Sequence, residues 1–198
     1  MNPLYHSLLR GLLLALLSFV LTACSAPRAQ DDAAPVAMMP TSLSGVGHLG
    51  AHVGIPQFSV NGYWGGNVGG WGGGGGGVSG GFSLPAKKPS TPYMVSVKWE
   101  TCDTRHIKYV NDQRVDPNAR CIRTPHEATV PVHYALTPGH GGSGLKIHFL
   151  PGNKVEAWYT DILPWGSKYP GPAYPDGPAP DYAPGQEPPA VPTTSGAK

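Results

Sequence analysis

The stretch from Gly62 to Gly81 is the feature that most limits how this chain can fold, because thirteen of its twenty residues are glycine. Glycine loses more conformational freedom on folding than any other residue, roughly 0.5–1 kcal/mol relative to alanine, so no helix is expected here. The dipeptide Asn61-Gly62 is typical of a tight hairpin turn. We therefore expect a strand ending at Asn61, a turn, and glycines where the backbone packs closely or moves.

A phosphate-binding role for this stretch is not favoured. Loops of that kind place backbone N–H groups at the start of a helix, with a lysine close behind, and neither a Gly-Lys-Ser/Thr sequence nor a helical pattern follows Gly81. Trp64 and Trp71 instead give the stretch anchors that a plain spacer would lack. They are candidate partner-binding residues if exposed and lids on the core if buried, and we favour burial for Trp64.

Alternation of apolar and polar residues with a period of two recurs through the middle of the chain. It is clear at residues 95–100, 145–149 and 155–160, and the last two runs are separated by Pro151-Gly152-Asn153, which favours a hairpin. No window has the pattern of an amphipathic helix. The sequence therefore predicts an all-β fold, a small antiparallel, sandwich-like domain of five to seven short strands over residues 50–168.

The two ends of the chain lack such a pattern. Residues 24–49 are rich in Ala, Pro, Ser and Met, which favours a flexible tether. Nine prolines occur between Tyr169 and Pro192, so residues 169–198 are expected to form a disordered, Pro-rich tail with exposed tyrosines. Pro131 lacks an N–H and should place its strand at a sheet edge or a bulge.

The first 23 residues have the features of a secretory signal peptide. Arg10 is followed by the apolar run Gly11–Leu21, which is too short to be a permanent membrane span. The sequence Leu21-Thr-Ala-Cys24 resembles the lipobox of bacterial lipoproteins, in which the cysteine receives acyl chains and becomes the first residue of the mature protein. We expect Cys24 to be a lipid anchor, with the chain facing the periplasm and the outer membrane favoured over the inner.

The charge balance argues against nucleic-acid binding. The chain has 14 Lys and Arg and 12 Asp and Glu, and removing residues 1–23 takes away only Arg10, which leaves 14 − 1 = 13 against 12. A nucleic-acid-binding domain normally shows a basic stripe, and none is present.

Two cysteines remain in the mature chain, Cys102 and Cys121. In an oxidising compartment we expect them to form a disulfide, which would close a loop of about 20 residues and stabilise the fold by about 3 kcal/mol. Zinc is the alternative, because His106 and His126 follow the two cysteines closely and zinc accepts two thiolates and two imidazoles. The disulfide is favoured, and no bound metal is expected.

No catalytic constellation is evident, so we expect neither an enzyme nor a cofactor. Ser143 lies in Gly141-Gly-Ser-Gly-Leu145, which lacks the last glycine of a nucleophile elbow. His48 and His52 have the spacing of helical metal ligands, but the glycines around them disfavour a helix. His148 alternates with the apolar residues of its strand and is expected to face solvent or a loop.

Six blocks of the chain resemble, in order, a bacterial lipoprotein family known as domain of unknown function 3304. The resemblance extends over about residues 53–172, and the segment from Cys102 to Arg123 looks like an insertion with its own bridge. The blocks are Phe58–Asn67, the glycines 72–77, Val95–Thr101, Val130–Tyr134, Leu145–Pro151 and Tyr169–Pro172.

The resemblance implies a role but no catalytic residues. Members of this family tend to be encoded beside phospholipase effectors of the type VI secretion system, which implies an immunity protein that binds the secreted lipase. The alternative is a structural envelope lipoprotein that engages peptidoglycan or another envelope protein.

Overall fold

A computed structural model describes five parts of the chain: residues 36–73, 81–111, 113–139, 144–183 and 186. The chain divides into residues 1–35, which lie outside these ranges, and the unit Val36–Lys198, to which all the described residues belong. Cys24, Ser143 and residues 74–80 of the glycine-rich stretch therefore lie outside the described residues. In the ranges that are described, no helix has the length and apolar character needed to cross a membrane.

Strands account for the regular structure of these residues, which confirms the predicted all-β class. There are twelve: β1 (Met38–Pro40), β2 (Ser42–His48), β3 (Val53–Val60), β4 (Tyr63–Val68), β5 (Trp71–Gly73), β6 (Ser83–Pro85), β7 (Met94–Asp103), β8 (Tyr109–Val110), β9 (Gln113–Arg114), β10 (Ile122–Ala135), β11 (Gly144–Leu150) and β12 (Lys154–Thr160).

Eight of these strands form one sheet in the order β4-β3-β7-β10-β12-β11-β2-β5. Neighbours are antiparallel except for the pairs β10–β12 and β11–β2, which are parallel. The strands β1–β6 and β8–β9 form two small ribbons beside it. The sheet is thus mixed, and it is larger than the five to seven strands expected, because short strands rich in glycine or proline carry little alternation.

The long strand β10 changes partner where Pro131 lies. Over Ile122–Pro131 it pairs with β7, and from Val132 onward it pairs in parallel with β12. In the described part of the chain, the first of these stretches has no second neighbour, so it forms an edge. Because proline cannot donate to a ladder, Pro125 and Pro131 are tolerated on this stretch. The sheet edge or bulge predicted for the strand of Pro131 is found only as this local edge, because β10 as a whole lies between β7 and β12.

The sheet curves so that its inward face encloses one core. The ring of Phe149 on β11 lies 5.3 Å from that of Phe58 on β3 and 5.9 Å from that of Trp99 on β7, although β11 is distant from both in the strand order. This gives the sandwich-like arrangement that was expected. The period-two prediction is confirmed for three strands, whose buried side chains include Val95, Val97, Trp99, Leu145, Ile147, Phe149, Val155, Ala157 and Tyr159.

Part of the predicted tether is instead an interior strand of the sheet. β2 lies between β11 and β5, and its apolar side chains are buried. The strand was not predicted because glycines occupy inward positions where an ordinary strand has apolar residues. At one of them, Gly47, an added Cβ would overlap the carbonyl oxygen of Gly69. The tether predicted over residues 24–49 is therefore wrong for β1 and β2, and residues 24–35 lie outside the described ranges.

The C-terminal segment, residues 169–183, lies against the domain, whereas a disordered tail with exposed tyrosines was predicted. Tyr169 is only 6% exposed, and the backbone of an extended, proline-rich chain leaves carbonyl oxygens free for neighbours to use. The hydrogen bonds that hold the segment run from Gly73 N to Tyr174 Oη (2.8 Å), from Ala51 N to Pro180 O (3.0 Å) and from Arg105 Nη1 to Ala183 O (3.1 Å).

Candidate functional site

The β3–β4 hairpin presents the first predicted site residue. Its turn is made by Asn61 and Gly62, whose φ angles of 49° and 83° are both in the left-handed region that a tight hairpin requires. Asn61 is held further by two hydrogen bonds of 2.8 Å with the backbone of Ser96, one from its own N–H to the carbonyl oxygen and one from the Ser96 N–H to its Oδ1. The turn predicted from the sequence is confirmed, and it fixes the direction of the following residues.

Trp64 points away from the core. It pairs with Ser59, so it shares the outward face of the sheet with that residue, and 61% of its surface is exposed. The inward position next to it belongs to Gly65, where a Cβ would overlap the ring of Phe58. The interpretation that Trp64 is buried is therefore wrong, because glycine rather than tryptophan meets the core at this point.

A groove crosses the outward face beside Trp64. We call this surface the Trp64 face; its volume is about 580 Å³. His126 and Trp99 also line it, and their rings stack at 5.1 Å. The outward side chains that line the groove are Gln57, Ser59, Trp64, Lys98, Glu100, Pro125 and Glu127.

Each charge on this face has a partner of opposite sign. Lys98 Nζ lies 3.4 Å from Glu127 Oε2, and Arg123 Nη1 donates to Glu100 Oε1 at 2.7 Å. Ser96 Oγ donates to the other oxygen of Glu127 at 3.1 Å. The face thus combines an exposed indole with charges that neutralise one another.

The predicted disulfide is formed. Cys102 on β7 is bonded to Cys121, which precedes β10. The bond closes the segment that contains the β8–β9 ribbon, where Tyr109, Val110 and Val115 are exposed. The zinc alternative does not hold for these cysteines, because both sulfur atoms are used in the bond.

Trp71, the second predicted contact residue, is placed differently from Trp64. It begins β5, at the other end of the strand order, and pairs with His48 on β2. The side chain is half-buried, and its indole Nε1 is buried without a hydrogen-bond partner among the described residues. Trp64 and Trp71 therefore lie on strands at opposite ends of the strand order.

The described residues contain no group of three or more His, Cys, Asp or Glu side chains that could hold a metal ion. His48 and His52, which have the spacing of helical ligands, point to different neighbours. His52 Nε2 lies 3.3 Å from Asp181 on the C-terminal segment, whereas His48 is buried under it. His106 Nε2 donates a hydrogen bond of 3.0 Å to the backbone carbonyl oxygen of Arg120.

A buried polar chain was missed by the sequence analysis. His48 Nε2 lies 2.9 Å from His148 Nδ1, and His148 Nε2 lies 2.6 Å from the hydroxyl of Tyr169. His148 was predicted to face solvent or a loop; it is fully buried and faces the C-terminal segment, which has no regular secondary structure at Tyr169, so the first alternative is wrong and the second is confirmed. Alternation along β11 does place it on the outward side of the sheet, but the C-terminal segment covers that side. A tyrosine at the start of the proline-rich run was the only signal available.

Burial keeps all three groups uncharged near neutral pH. It lowers the pKa of His48 to about 4. It also lowers the pKa of His148 to about 3, with further contributions from the positive charges that His48 and Lys146 can carry. Burial raises the pKa of Tyr169 well above its usual range. With one hydrogen in each contact, two neutral imidazoles and a phenol satisfy one another.

Comparison with family models gives one match. The family described as "Protein of unknown function (DUF3304)" matches residues 50–157, which is more than half of the chain. No curated protein and no solved structure matches. The matched residues include the β3–β4 hairpin with Trp64, the strand with Trp99 and the disulfide-closed segment. The chain therefore belongs to the family of proteins of unknown function DUF3304.

Proposed function

We propose that this chain is a binding protein rather than an enzyme, anchored to the membrane by lipid on Cys24 and exposed to the periplasm. Its partner is a protein, and the Trp64 face is the surface that meets it. On the resemblance to lipoproteins encoded beside type VI phospholipase effectors, we propose further that the partner is such a lipase and that the chain is its immunity protein.

The exposure of Trp64 is the observation that carries this proposal. Trp64 exposes 61% of its surface to water, so most of its apolar ring does not contribute to the core. Tryptophan is enriched among the residues that dominate binding energy at protein interfaces, where its ring fills a pocket on the partner. The hairpin turn and the Gly65–Phe58 contact hold the indole outward before any partner arrives, so little conformational entropy is lost on binding.

The paired charges around the groove favour a protein partner over a nucleic acid or an anionic small molecule. A site for a polyanion would leave cationic groups free to neutralise phosphates. Lys98 and Arg123 are instead paired with Glu127 and Glu100. Their arrangement surrounds an aromatic side chain with polar groups, as the rim of a protein interface does.

The test is co-expression with the lipase encoded next to this chain, followed by measurement of lysis and of affinity. The Trp64→Ala variant should bind the lipase at least about 30-fold more weakly, the loss expected for a central aromatic contact, and should protect cells less well. Trp165→Ala is the matched control, because Trp165 is 62% exposed but lies outside the Trp64 face. It should bind and protect as the unmodified chain does.

Two results would count against the proposal in different ways. If the lipase binds and Trp64→Ala has no effect, the partner uses another surface. If cells lyse with the unmodified chain present and no complex forms, the immunity role is excluded. Recovery of peptidoglycan or of another envelope protein with the chain would then support the structural alternative.

A further inference from the structure

The C-terminal segment covers polar groups that an ordinary sheet face would leave in water. His48 ends β2 and His148 lies in β11, both on the outward side of the sheet, and Tyr169 reaches down between the segment and these strands. The three side chains are 2%, 0% and 6% exposed. The segment is thus fastened to the sheet through a hydrogen-bonded chain that contains two titratable imidazoles.

We propose that the chain His48–His148–Tyr169 is an acid-sensitive latch that holds the C-terminal segment on the sheet at neutral pH and releases it in mild acid. This inference does not depend on the identity of the partner or on the Trp64 face. It assigns a role to residues that the proposed function leaves unused.

The hydrogen-bond geometry explains why protonation opposes docking. The contact of 2.9 Å between His48 Nε2 and His148 Nδ1 requires one nitrogen to donate and the other to accept. When both rings are protonated, each nitrogen carries a hydrogen, so the two N–H groups point at each other and two positive charges lie side by side. The first proton is also unfavourable, since it places a charge in a region closed to water.

The charged neighbours do not remove this cost. Lys146, on the same strand as His148, is half-buried and adds a positive charge nearby. Glu156 pairs across the strands with His148, but its carboxylate accepts a hydrogen bond of 2.9 Å from Trp158 Nε1. On the segment itself, Asp181 lies 3.3 Å from His52 rather than beside the latch.

The direction and range of the effect follow from the histidines. Their pKa values are lowered to about 4 and about 3 in the docked state, whereas an imidazole in water titrates near 6.5. Docking is therefore fully favourable above pH 6.5 and weakens as pH falls below it. The equilibrium constant for docking should decrease by up to about tenfold for each histidine with every unit that the pH falls below 6.5.

The test is an NMR titration of the purified chain from pH 7.5 to 4.5, following the amide resonances of residues 169–183 and the imidazole signals of His48 and His148. The segment's resonances should move to flexible, solvent-exposed positions with a midpoint below pH 6.5, together with protonation of both rings. A segment that stays docked down to pH 4.5 would overturn the proposal.

Variants separate the latch from the other contacts of the segment. In the double variant His48→Gln and His148→Gln, the state of the segment should no longer change with pH. His52→Gln is the matched control and should keep the acid transition. If the double variant does not fold, Tyr169→Phe serves in its place, because losing the hydroxyl should move the midpoint upward, toward 6.5. An unchanged transition in the double variant or in Tyr169→Phe, or its loss in His52→Gln, would contradict the latch.

Discussion

The imidazole Nε2 of His148 lies 2.6 Å from the hydroxyl of Tyr169, which is 21 residues further along the chain. His148 belongs to a strand of the sheet, whereas Tyr169 belongs to the segment that crosses its outward side. The contact therefore joins a strand in which apolar and polar residues alternate to a segment that is rich in proline. It also makes the position of residues 169–183 depend on a buried hydrogen bond as well as on apolar packing.

Tyr169→Phe should lower the free energy of unfolding by about 1–3 kcal/mol, because it leaves a buried imidazole nitrogen without a partner while keeping the aromatic ring. Urea denaturation at pH 7.5 measures the change. Tyr63→Phe is the control, since the Tyr63 ring packs on Phe82 but the residue is 40% exposed. It should change stability by less than about 0.5 kcal/mol, and equal effects of the two variants would argue against the buried contact.

Stability should fall between pH 7.5 and pH 5. The pKa values of His48 and His148 are lowered to about 4 and about 3 by burial, so the unfolded chain binds protons in this range that the folded chain does not. Their contribution is complete above pH 6.5 and decreases below it, by up to about 2 kcal/mol per histidine at pH 5.

Denaturant midpoints measured across this range check the acid effect. The Asp103 carboxyl, whose pKa is lowered by its hydrogen bonds to Arg105, does not interfere, because its contribution is lost only at lower pH. A stability that is constant from pH 7.5 to pH 5 would show that the histidines are not kept neutral by the fold.

Removing the disulfide with Cys102→Ser and Cys121→Ser should lower the free energy of unfolding by about 3 kcal/mol, as expected for a loop closed by cysteines with a sequence separation of 19. Reduction of the unmodified chain should have the same effect. Hydrogen exchange should then increase first in the β8–β9 ribbon, whose exposed side chains depend on the bond for position. If the midpoint and the exchange rates do not change, the bond contributes nothing to this part of the fold.

The sequence predicted those parts of the fold in which local pattern and burial agree. Val95, Val97 and Trp99 alternate with polar residues and point inward, and Asn61-Gly62 makes the turn that its chemistry requires. It did not predict β2, because an inward glycine carries no apolar signal and is explained only by a backbone that approaches from elsewhere in the fold. From the sequence alone, Gly47 suggests a flexible segment, whereas in the structure it allows the backbone to pack closely against Gly69.

The candidate site was predicted in part for a similar reason. Trp64 was identified as a contact residue, but its exposure depends on which of two adjacent residues meets the core, and Gly65 takes that position. His148 was correctly assigned to the outward side of its strand. Its burial comes from Tyr169 and the residues after it. These residues pack on strands that are distant in the sequence, and such packing produces no periodic pattern that could be recognised.

The close approach of β2 to the residues after β4 can be tested by adding a single carbon atom to β2. Gly47→Ala adds a Cβ that would overlap the carbonyl oxygen of Gly69, which can give way only if the backbone moves. Overpacking of this kind typically lowers the free energy of unfolding by about 1–3 kcal/mol. Chemical denaturation of the purified chain measures it.

Gly54→Ala is the matched control for this substitution. Gly54 also lies in a strand, but a Cβ there would meet nothing closer than the carbonyl oxygen of Val68 at 3.8 Å, an ordinary contact. Because alanine loses less conformational freedom than glycine on folding, this variant should be unchanged or more stable by up to about 1 kcal/mol. Opposite signs for the two variants would place β2 against residue 69, whereas a neutral Gly47→Ala would show that the strand is not held there.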